Sequence, residues 1–216
     1  MGRTSTGICI SCEKELSKMT VAKHLKNCPE RSRDDGNERL FLISVQSRSP
    51  EYWLYLEASA DSTLKQLDHF LRDIWLECCG HMSLFIIENQ TFSSDPDQSY
   101  GDKSMRVKLR DLLYKGMSFR HEYDMGSTTE LKLKVVEERL GANRAAPAIE
   151  LLARNSAPVI YCDECGTAVA ENVCSECQYD KSGWLCEACS EAHECGEEML
   201  LPVVNSPRVG VCGYTG

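Results

Sequence analysis

The sequence predicts an α+β fold in which one helix packs across a mostly antiparallel sheet in the centre of the chain. Apolar and polar residues alternate along residues 39–58, which is the pattern of two paired strands. The apolar period then lengthens to that of an amphipathic helix over residues 64–78. Alternation returns in residues 119–135, on both sides of a turn. Two hairpins around one helix favour a ubiquitin-like or β-grasp arrangement, which we expect for residues 38–140.

The helix is the best defined of these elements. Its apolar side chains recur at helical spacing and form one face: Leu64, Leu67, Leu71, Ile74, Trp75 and Cys78. Thr63 and Gln66 have the spacing of a capping box, and Gly80 is typical of a helix stop.

Less regular sequence separates the helix from the second hairpin. Residues 83–88 read as a buried strand and residues 89–102 as a polar loop. Residues 107–114 fit either a short strand or a short helix, and both assignments stay open.

Composition limits the classes of partner and location. The net charge is −9, and residues 1–37 alone are basic, with seven basic and five acidic side chains. Broad nucleic-acid affinity is therefore not expected, because phosphate contacts need clustered Lys and Arg. We expect no membrane span, since no apolar run approaches about 18 residues, and no secretory signal at residues 1–7. The 13 cysteines are then expected to be reduced thiols in a cytoplasmic protein.

Residues 1–37 are predicted to be a small zinc finger followed by a polar linker at residues 31–38. A Cys-x2-Cys pair precedes a His-x3-Cys pair, and the predicted zinc ligands are Cys9, Cys12, His24 and Cys28. A helix capped by Thr20 would place the last two ligands on one face, with Val21 and Leu25 as its apolar packing.

This pattern resembles small zinc fingers with three cysteines and one histidine, a class that includes nucleic-acid and protein binders. Nucleic-acid or ribosome binding through residues 1–33 is therefore one hypothesis. The side chains that could contact phosphate are Lys14, Lys18, Lys23 and Lys26. Glu13 and Glu15 favour the alternative, a solvated helix face.

Residues 159–216 contain three successive Cys-x2-Cys pairs and a final His-x-Cys pair. The predicted ligands are Cys162, Cys165, Cys174, Cys177, Cys186, Cys189, His193 and Cys195. Eight such ligands predict two zinc ions, whereas disulfides would be expected in a short secreted chain. The spacing resembles B-box-like and treble-clef modules, which mostly bind protein.

Interleaved pairing, first with third and second with fourth, leaves roomier loops than sequential pairing and is preferred. Cys212 is a rival to Cys195 for the last ligand position. A helix carrying both Cys189 and His193 is also suggested, but interleaved pairing would assign these two ligands to different metals, so the two inferences conflict.

The remaining segments are a linker and a tail. Residues 141–158 are predicted to be a linker with a short helix at residues 149–153, opened by Pro147. Residues 199–216 are apolar with one charged side chain, Arg208, so we expect them to wrap the zinc module or, alternatively, to insert into a partner.

Catalysis in the centre of the chain would have to use a small set of side chains: His69, Cys78, Cys79, His81, His121 and Asp124. Roles in the core or on the surface account for all of them. A nucleophilic cysteine needs a base within hydrogen-bond reach and an electropositive setting, and a sequence alone shows neither. A metal-dependent hydrolase or redox protein is kept as a second alternative.

Residues 123–126, Tyr-Asp-Met-Gly, lie on the second hairpin and carry a resemblance. With the helix and the segment 109–116, they resemble the plasmid ORF-3-like family, also described as transposon-passenger-protein-like, over residues 38–140. Its hairpin signature is Tyr-x-Tyr-Asp-aromatic-Gly-Asp-x-Trp-x-His. Here Tyr123, Asp124 and Gly126 match, and the departures are His121, Met125, Ser127, Thr129 and Leu131. The resemblance implies the α+β fold and does not imply any particular activity.

The sequence as a whole predicts a cytoplasmic, non-catalytic binding protein that interacts with another protein. All three predicted zinc ions would be structural, because closed four-ligand sites leave no position for a reacting water.

Overall fold

A long, mostly antiparallel sheet dominates the first of two compact units. The computed structural model describes residues 5–31, 36–141, 149–180 and 182–216. The first unit lies within residues 1–72 and 82–156, and the second within residues 73–81 and 157–216. The structure is therefore mixed α+β, rich in strands and with few helices, as the sequence predicted.

Within the described residues the large sheet has ten strands. They are β1 (Thr6–Cys9), β2 (Glu15–Ser17), β3 (Glu38–Ser47), β4 (Trp53–Ser59), β5 (Ser83–Ile87), β6 (Gln90–Ser93), β7 (Lys103–Ser104), β8 (Ser118–Tyr123), β9 (Thr129–Gly141) and β10 (Ile149–Asn155). Their spatial order is β2-β1-β10-β4-β3-β9-β8-β5-β6-β7. Among these pairs only β6 and β7 run parallel.

Both predicted hairpins are confirmed. Strands β3 and β4 pair with Ile43 opposite Leu56, and strands β8 and β9 pair with His121 opposite Leu131. In β8 and β9 the side chains alternate between buried and exposed, because one face of the sheet covers the core and the other meets solvent.

The predicted helix is shorter than its apolar pattern. The first helix of the chain, α1 (Val21–Asn27), belongs to the finger. The predicted helix is the second, α2, which spans Leu64–Leu71 and continues as a π-helical turn at Arg72–Leu76. The capping box is present: Thr63 Oγ1 accepts the Gln66 N–H and Gln66 Oε1 accepts the Thr63 N–H. The apolar stripe is buried at Leu64, Leu67, Leu71 and Trp75.

Between α2 and the second hairpin, the structure corrects the predicted loop at residues 89–102 and settles the open assignment of residues 107–114. The predicted loop at residues 89–102 contains strand β6, because Glu88 and Asn89 both adopt positive φ and close a two-residue hairpin with β5. Such a turn normally selects Asn-Gly or Asp-Gly, so Glu-Asn gave no signal. In residues 107–114 a single 3-10 turn forms at Leu109–Asp111.

The predicted helix at residues 149–153 is wrong, because these residues belong to strand β10. This strand lies between β1 and β4, and both neighbours supply backbone hydrogen-bond partners that a short helix would leave unused. Residues 142–148 of the predicted linker, which include Pro147, lie outside the described residues. So do residues 32–35 of the first linker.

The second unit is small and contains a second sheet. Its described strands are β11 (Asn172–Cys174), β12 (Trp184–Leu185) and β13 (Leu200–Pro202), in the order β12-β11-β13, with the short helix α3 at Glu187–Glu191. The start of the tail is therefore a strand of this unit, paired with β11.

Helix length also bears on membrane insertion. Among the described residues, no helix combines the length and the hydropathy needed to cross a bilayer.

Candidate metal centres

Four groups of cysteine and histidine side chains converge in the structure, each with four sulfur or nitrogen atoms within 4.8 Å of one another. We name them the finger site (Cys9, Cys12, His24, Cys28), the first C-terminal site (Cys162, Cys165, Cys186, Cys189), the second C-terminal site (Cys174, Cys177, His193, Cys195) and the tail site (Cys78, Cys79, His81, Cys212). Together they include all 13 cysteines of the chain. The four groups could hold metal ions.

The spacing of the donor atoms fits tetrahedral coordination. Zinc bonds of about 2.3 Å to sulfur and about 2.0 Å to nitrogen place two sulfurs about 3.8 Å apart and a sulfur and a nitrogen about 3.5 Å apart. The Sγ atoms of Cys9 and Cys28 are 4.0 Å apart, and those of Cys177 and Cys195 are 3.5 Å apart. The Nε2 atom of His24 lies 3.3 Å from the Cys12 Sγ. All the cysteines are free thiols, so the disulfide alternative is not seen.

The finger site is assembled from a hairpin and one short helix. Cys9 ends strand β1, Cys12 lies in the turn before β2, and His24 lies on α1. Cys28 is the C-cap of that helix. Thr20 occupies the N-cap position, but its hydroxyl donates to the Ser17 carbonyl and makes no side-chain cap, so the predicted capping bond is absent.

The finger is part of the large sheet, through strand β1 beside β10. The two apolar residues predicted to pack inside it, Val21 and Leu25, form a cluster with Trp53 and Leu152 of the sheet. The sheet thus supplies the apolar surface that a finger of this size lacks. Burial lowers the pKa of His24, which favours the neutral imidazole that binds metal.

The lysines predicted to face phosphate are partly engaged in the protein. Lys18 donates to the carbonyl of Pro50 at 2.8 Å, and Lys26 forms an ion pair with Glu137 at 3.7 Å. Lys14 and Lys23 are exposed.

The two C-terminal sites are interleaved along the chain, in the arrangement preferred from the sequence. The first and third Cys-x2-Cys pairs form one group, and the second pair joins His193 and Cys195 in the other. Helix α3 ends at Glu191, so His193 lies beyond it and the predicted helix carrying both Cys189 and His193 does not form. Cys195, and not Cys212, completes the second C-terminal site.

Backbone amides favour the thiolate form at one end of the first C-terminal site. Backbone N–H groups of Ala168 and Thr167 donate to the Cys165 sulfur and lower its pKa to about 6. The neighbouring thiols of Cys186 and Cys162 raise the pKa of Cys189 to about 12.

In the second C-terminal site, too, the pKa of one cysteine is lowered and that of another is raised. Burial raises the pKa of Cys174, but the backbone N–H groups of Cys177 and Glu176 outweigh it and bring that pKa to about 7. The thiols of Cys195 and Cys174 raise the pKa of Cys177 to about 12. Because adjacent thiolates repel, a divalent cation is the natural means of deprotonating each whole set, and its binding would release protons.

The tail site was not predicted from the sequence. Cys78, Cys79 and His81 follow the π-helical turn, and Cys212 comes from the tail. The run Cys-Cys-x-His was a usable signal, but its fourth donor lies more than 130 residues away, beyond any motif spacing. The thiols of Cys212 and Cys78 raise the pKa of Cys79 to about 11.

The remaining candidate catalytic residues are dispersed. His121 is fully buried, and its Nε2 lies 2.8 Å from Asp68 Oδ1 on helix α2. Asp124 is buried with a positive φ and accepts the Gly126 N–H in a turn, while His69 is exposed. The contacts of His121 Nε2 and Asp124 are thus hydrogen bonds within the core and a turn, and His69 faces solvent.

A groove of about 760 Å³ lies in the first unit over strands β3, β8 and β9. Its charged lining residues are Arg120, Lys132, Lys134 and Glu88, which gives a local excess of positive charge in an acidic protein. Tyr114 lies at its edge and donates its hydroxyl to Glu88 Oε1 at 3.1 Å.

Comparison with known proteins gives little functional information. No family model matches the chain, and no curated protein matches it. A protein of unknown function from Methanosarcina mazei Go1 is similar in structure, with a TM-score of 0.45 and 14% sequence identity. The match covers 50% of this chain, and the chain spans 65% of that protein's length.

Proposed function

We propose that this chain is a zinc-stabilised, non-catalytic binding protein whose partner is another protein. The observation that carries the proposal is the closure of the finger site and both C-terminal sites, each with four soft donors around one centre. Four cysteine or histidine ligands are typical of structural zinc, whereas catalytic zinc keeps a position for water. The proposed role of these three ions is to hold segments with little apolar core in a fixed shape.

The groove of the first unit is the proposed binding surface. Lys132 and Lys134 are exposed along it and complement an extended peptide segment that carries carboxylates. Arg120 is exposed as well, but it pairs with Glu130 at 3.8 Å. Tyr114 offers an exposed aromatic face beside these charges, which is a residue type enriched at protein interfaces.

Nucleic-acid or ribosome binding through residues 1–33 is the alternative, and the finger's contacts disfavour it. Lys18 and Lys26 are held by groups of the same unit, so fewer lysines are available to phosphate than the sequence suggested. A metal-dependent enzyme is the second alternative, and the burial of His121 and Asp124 argues against it.

Three further descriptions belong to the proposal. A cytoplasmic location follows from the expected reduced state of the thiols. Membership of the plasmid ORF-3-like family depends on the hairpin residues around Tyr123. A β-grasp arrangement is proposed for the centre of the first unit. Its central strands, β3 and β9, run antiparallel.

Affinity capture from native cytosol tests the proposal. The Lys132→Glu/Lys134→Glu variant reverses the charge of the groove, and Lys65→Glu/Arg106→Glu makes the same charge change at exposed positions outside it. We expect a protein that is retained by the wild type and the control variant and lost with the groove variant. Equal retention by all three overturns the groove assignment. Retention of RNA or DNA that is lost when Lys14 and Lys23 are changed would establish the alternative.

A further inference from the structure

The tail site lies outside the predicted zinc modules. We propose that Cys78, Cys79, His81 and Cys212 bind a fourth zinc ion, which fastens the C-terminal tail to residues 78–81 and exchanges faster than the other three. All four donors belong to the second unit.

The donor geometry is that of the other sites. The Cys79 Sγ lies 3.8 Å from that of Cys78 and 3.7 Å from that of Cys212. The His81 Nε2 lies 3.0 Å from the Cys79 Sγ and 3.1 Å from the Cys212 Sγ. The sulfur–sulfur separations match the edge of a zinc tetrahedron, about 3.8 Å, and the sulfur–nitrogen separations are shorter than its edge of about 3.5 Å.

A buried cation beside the site matches the charge of the complex. Arg208 is fully buried, and its Nη2 lies 3.5 Å from the Cys78 Sγ. Zinc with three thiolates and a neutral imidazole carries a formal charge of about −1. The guanidinium is therefore placed to offset part of the charge of an occupied site, because buried charges are paired or hydrogen-bonded in proteins.

The backbone supplies an independent observation. Cys212 has a φ of +52°, in the left-handed region that favours glycine, and Gly213 follows with a φ of +68°. A residue other than glycine persists in this conformation only where its surroundings hold it there. Ligation of a metal by the Cys212 sulfur would supply such a constraint.

Exposure distinguishes the tail site from the other three. Its donors are exposed or half-buried, whereas Cys9, Cys28 and Cys174 have no exposed surface and Cys162 is 2% exposed. Cys165 of the first C-terminal site is exposed too, but each of the other three sites keeps at least one buried sulfur, whereas the tail site keeps none. A chelator therefore has access to every donor of the tail site, which is expected to release its zinc first.

Metal counting and chelator kinetics test the proposal on the full chain. We expect four zinc equivalents in the wild type and three in Cys79→Ser and Cys212→Ser. A colorimetric chelator should remove one equivalent from the wild type in a fast phase that both variants lack. Cys165→Ser is the matched control, because it should lose zinc from the first C-terminal site and keep the fast phase. Three equivalents in the wild type, or four in both variants, overturn the site, and a fast phase that persists in the variants overturns the exchange order.

Cys212→Gly separates ligation from backbone strain. If the cysteine served the backbone alone, glycine would relieve the strained φ and leave the zinc content unchanged. The proposal instead expects the loss of one equivalent and faster proteolytic cleavage within residues 203–216. Unchanged far-ultraviolet circular dichroism would show that the variant folds. Neither zinc content nor proteolytic cleavage involves a partner. The tail site can therefore be refuted while the proposed binding function stands, and the binding function can be refuted while the tail site stands.

Discussion

Replacing Glu57 by Gln should strongly destabilise the first unit. The Glu57 carboxylate is 8% exposed and joins two arginines: Arg31 Nη2 lies 2.7 Å from Oε1, and Arg139 Nη2 lies 2.7 Å from Oε2. Arg31 is itself buried, directly after the finger, and also donates to the Leu25 carbonyl. Glutamine preserves the shape of the side chain and removes the charge that compensates both guanidinium groups.

The burial of Glu57 sets the expected loss in free energy of unfolding. Removing one partner of a buried ion pair costs about 3–5 kcal/mol, because the remaining charge is left uncompensated. The matched control is Glu138→Gln. Glu138 pairs with Arg39 at 2.6 Å, but these two side chains are 33% and 38% exposed, and exposed pairs contribute about 0–1 kcal/mol.

Thermal unfolding followed by circular dichroism compares the two variants, and hydrogen exchange of the β3 and β4 amides locates the loss. For Glu57→Gln we expect a fall in Tm of roughly 10 °C or more, against a few degrees for Glu138→Gln. Added salt should shrink the effect at Glu138 and leave that at Glu57 nearly unchanged. Similar small losses in both variants would refute the argument that burial makes the Glu57 network stabilising.

Other perturbations have equally definite outcomes. Asp68→Asn should cost about 1–3 kcal/mol near neutral pH by denaturant titration. Burial raises the pKa of Asp68, but the hydrogen bond and charge of His121 outweigh it and the net pKa is lowered. The difference from wild type should therefore shrink as pH falls below about 4, the ordinary aspartate pKa, and a pH-independent difference would contradict this. Thr63→Ala removes the capping box and should lower the free energy of unfolding by about 1 kcal/mol, with no loss if the cap is unimportant. Gly7→Ala would place a Cβ atom against the Arg154 carbonyl and the Trp53 ring, so its Tm should fall clearly below that of Gly126→Ala, whose Cβ meets nothing nearer than 3.4 Å.

The local patterns were sufficient where short-range physics decides the structure. Alternating side chains predicted β8 and β9, since a sheet with one face buried imposes a period of two. The alternation of residue types also located β3 and β4, although both strands are buried along most of their length. The capping box at Thr63 and the stripe along α2 were also readable, because each involves residues within a few turns of one helix.

Local patterns failed where a partner strand decides the structure. Residues 149–155 have no distinctive period, and their extended form depends on backbone groups of β1 and β4, which are remote in sequence. The same strand joins the finger to the sheet, so the fusion of two predicted modules into one unit could not be read from either segment alone.

By itself, the sequence determined the helix, the two hairpins and twelve of the sixteen donors, because Cys-x2-Cys spacing brings two thiols together in any compact turn. Only the tertiary structure decided the tail site, the position of β10 and the burial of Glu57. In each case at least one deciding contact joins residues about 80 or more positions apart, and chain folding alone brings such residues together.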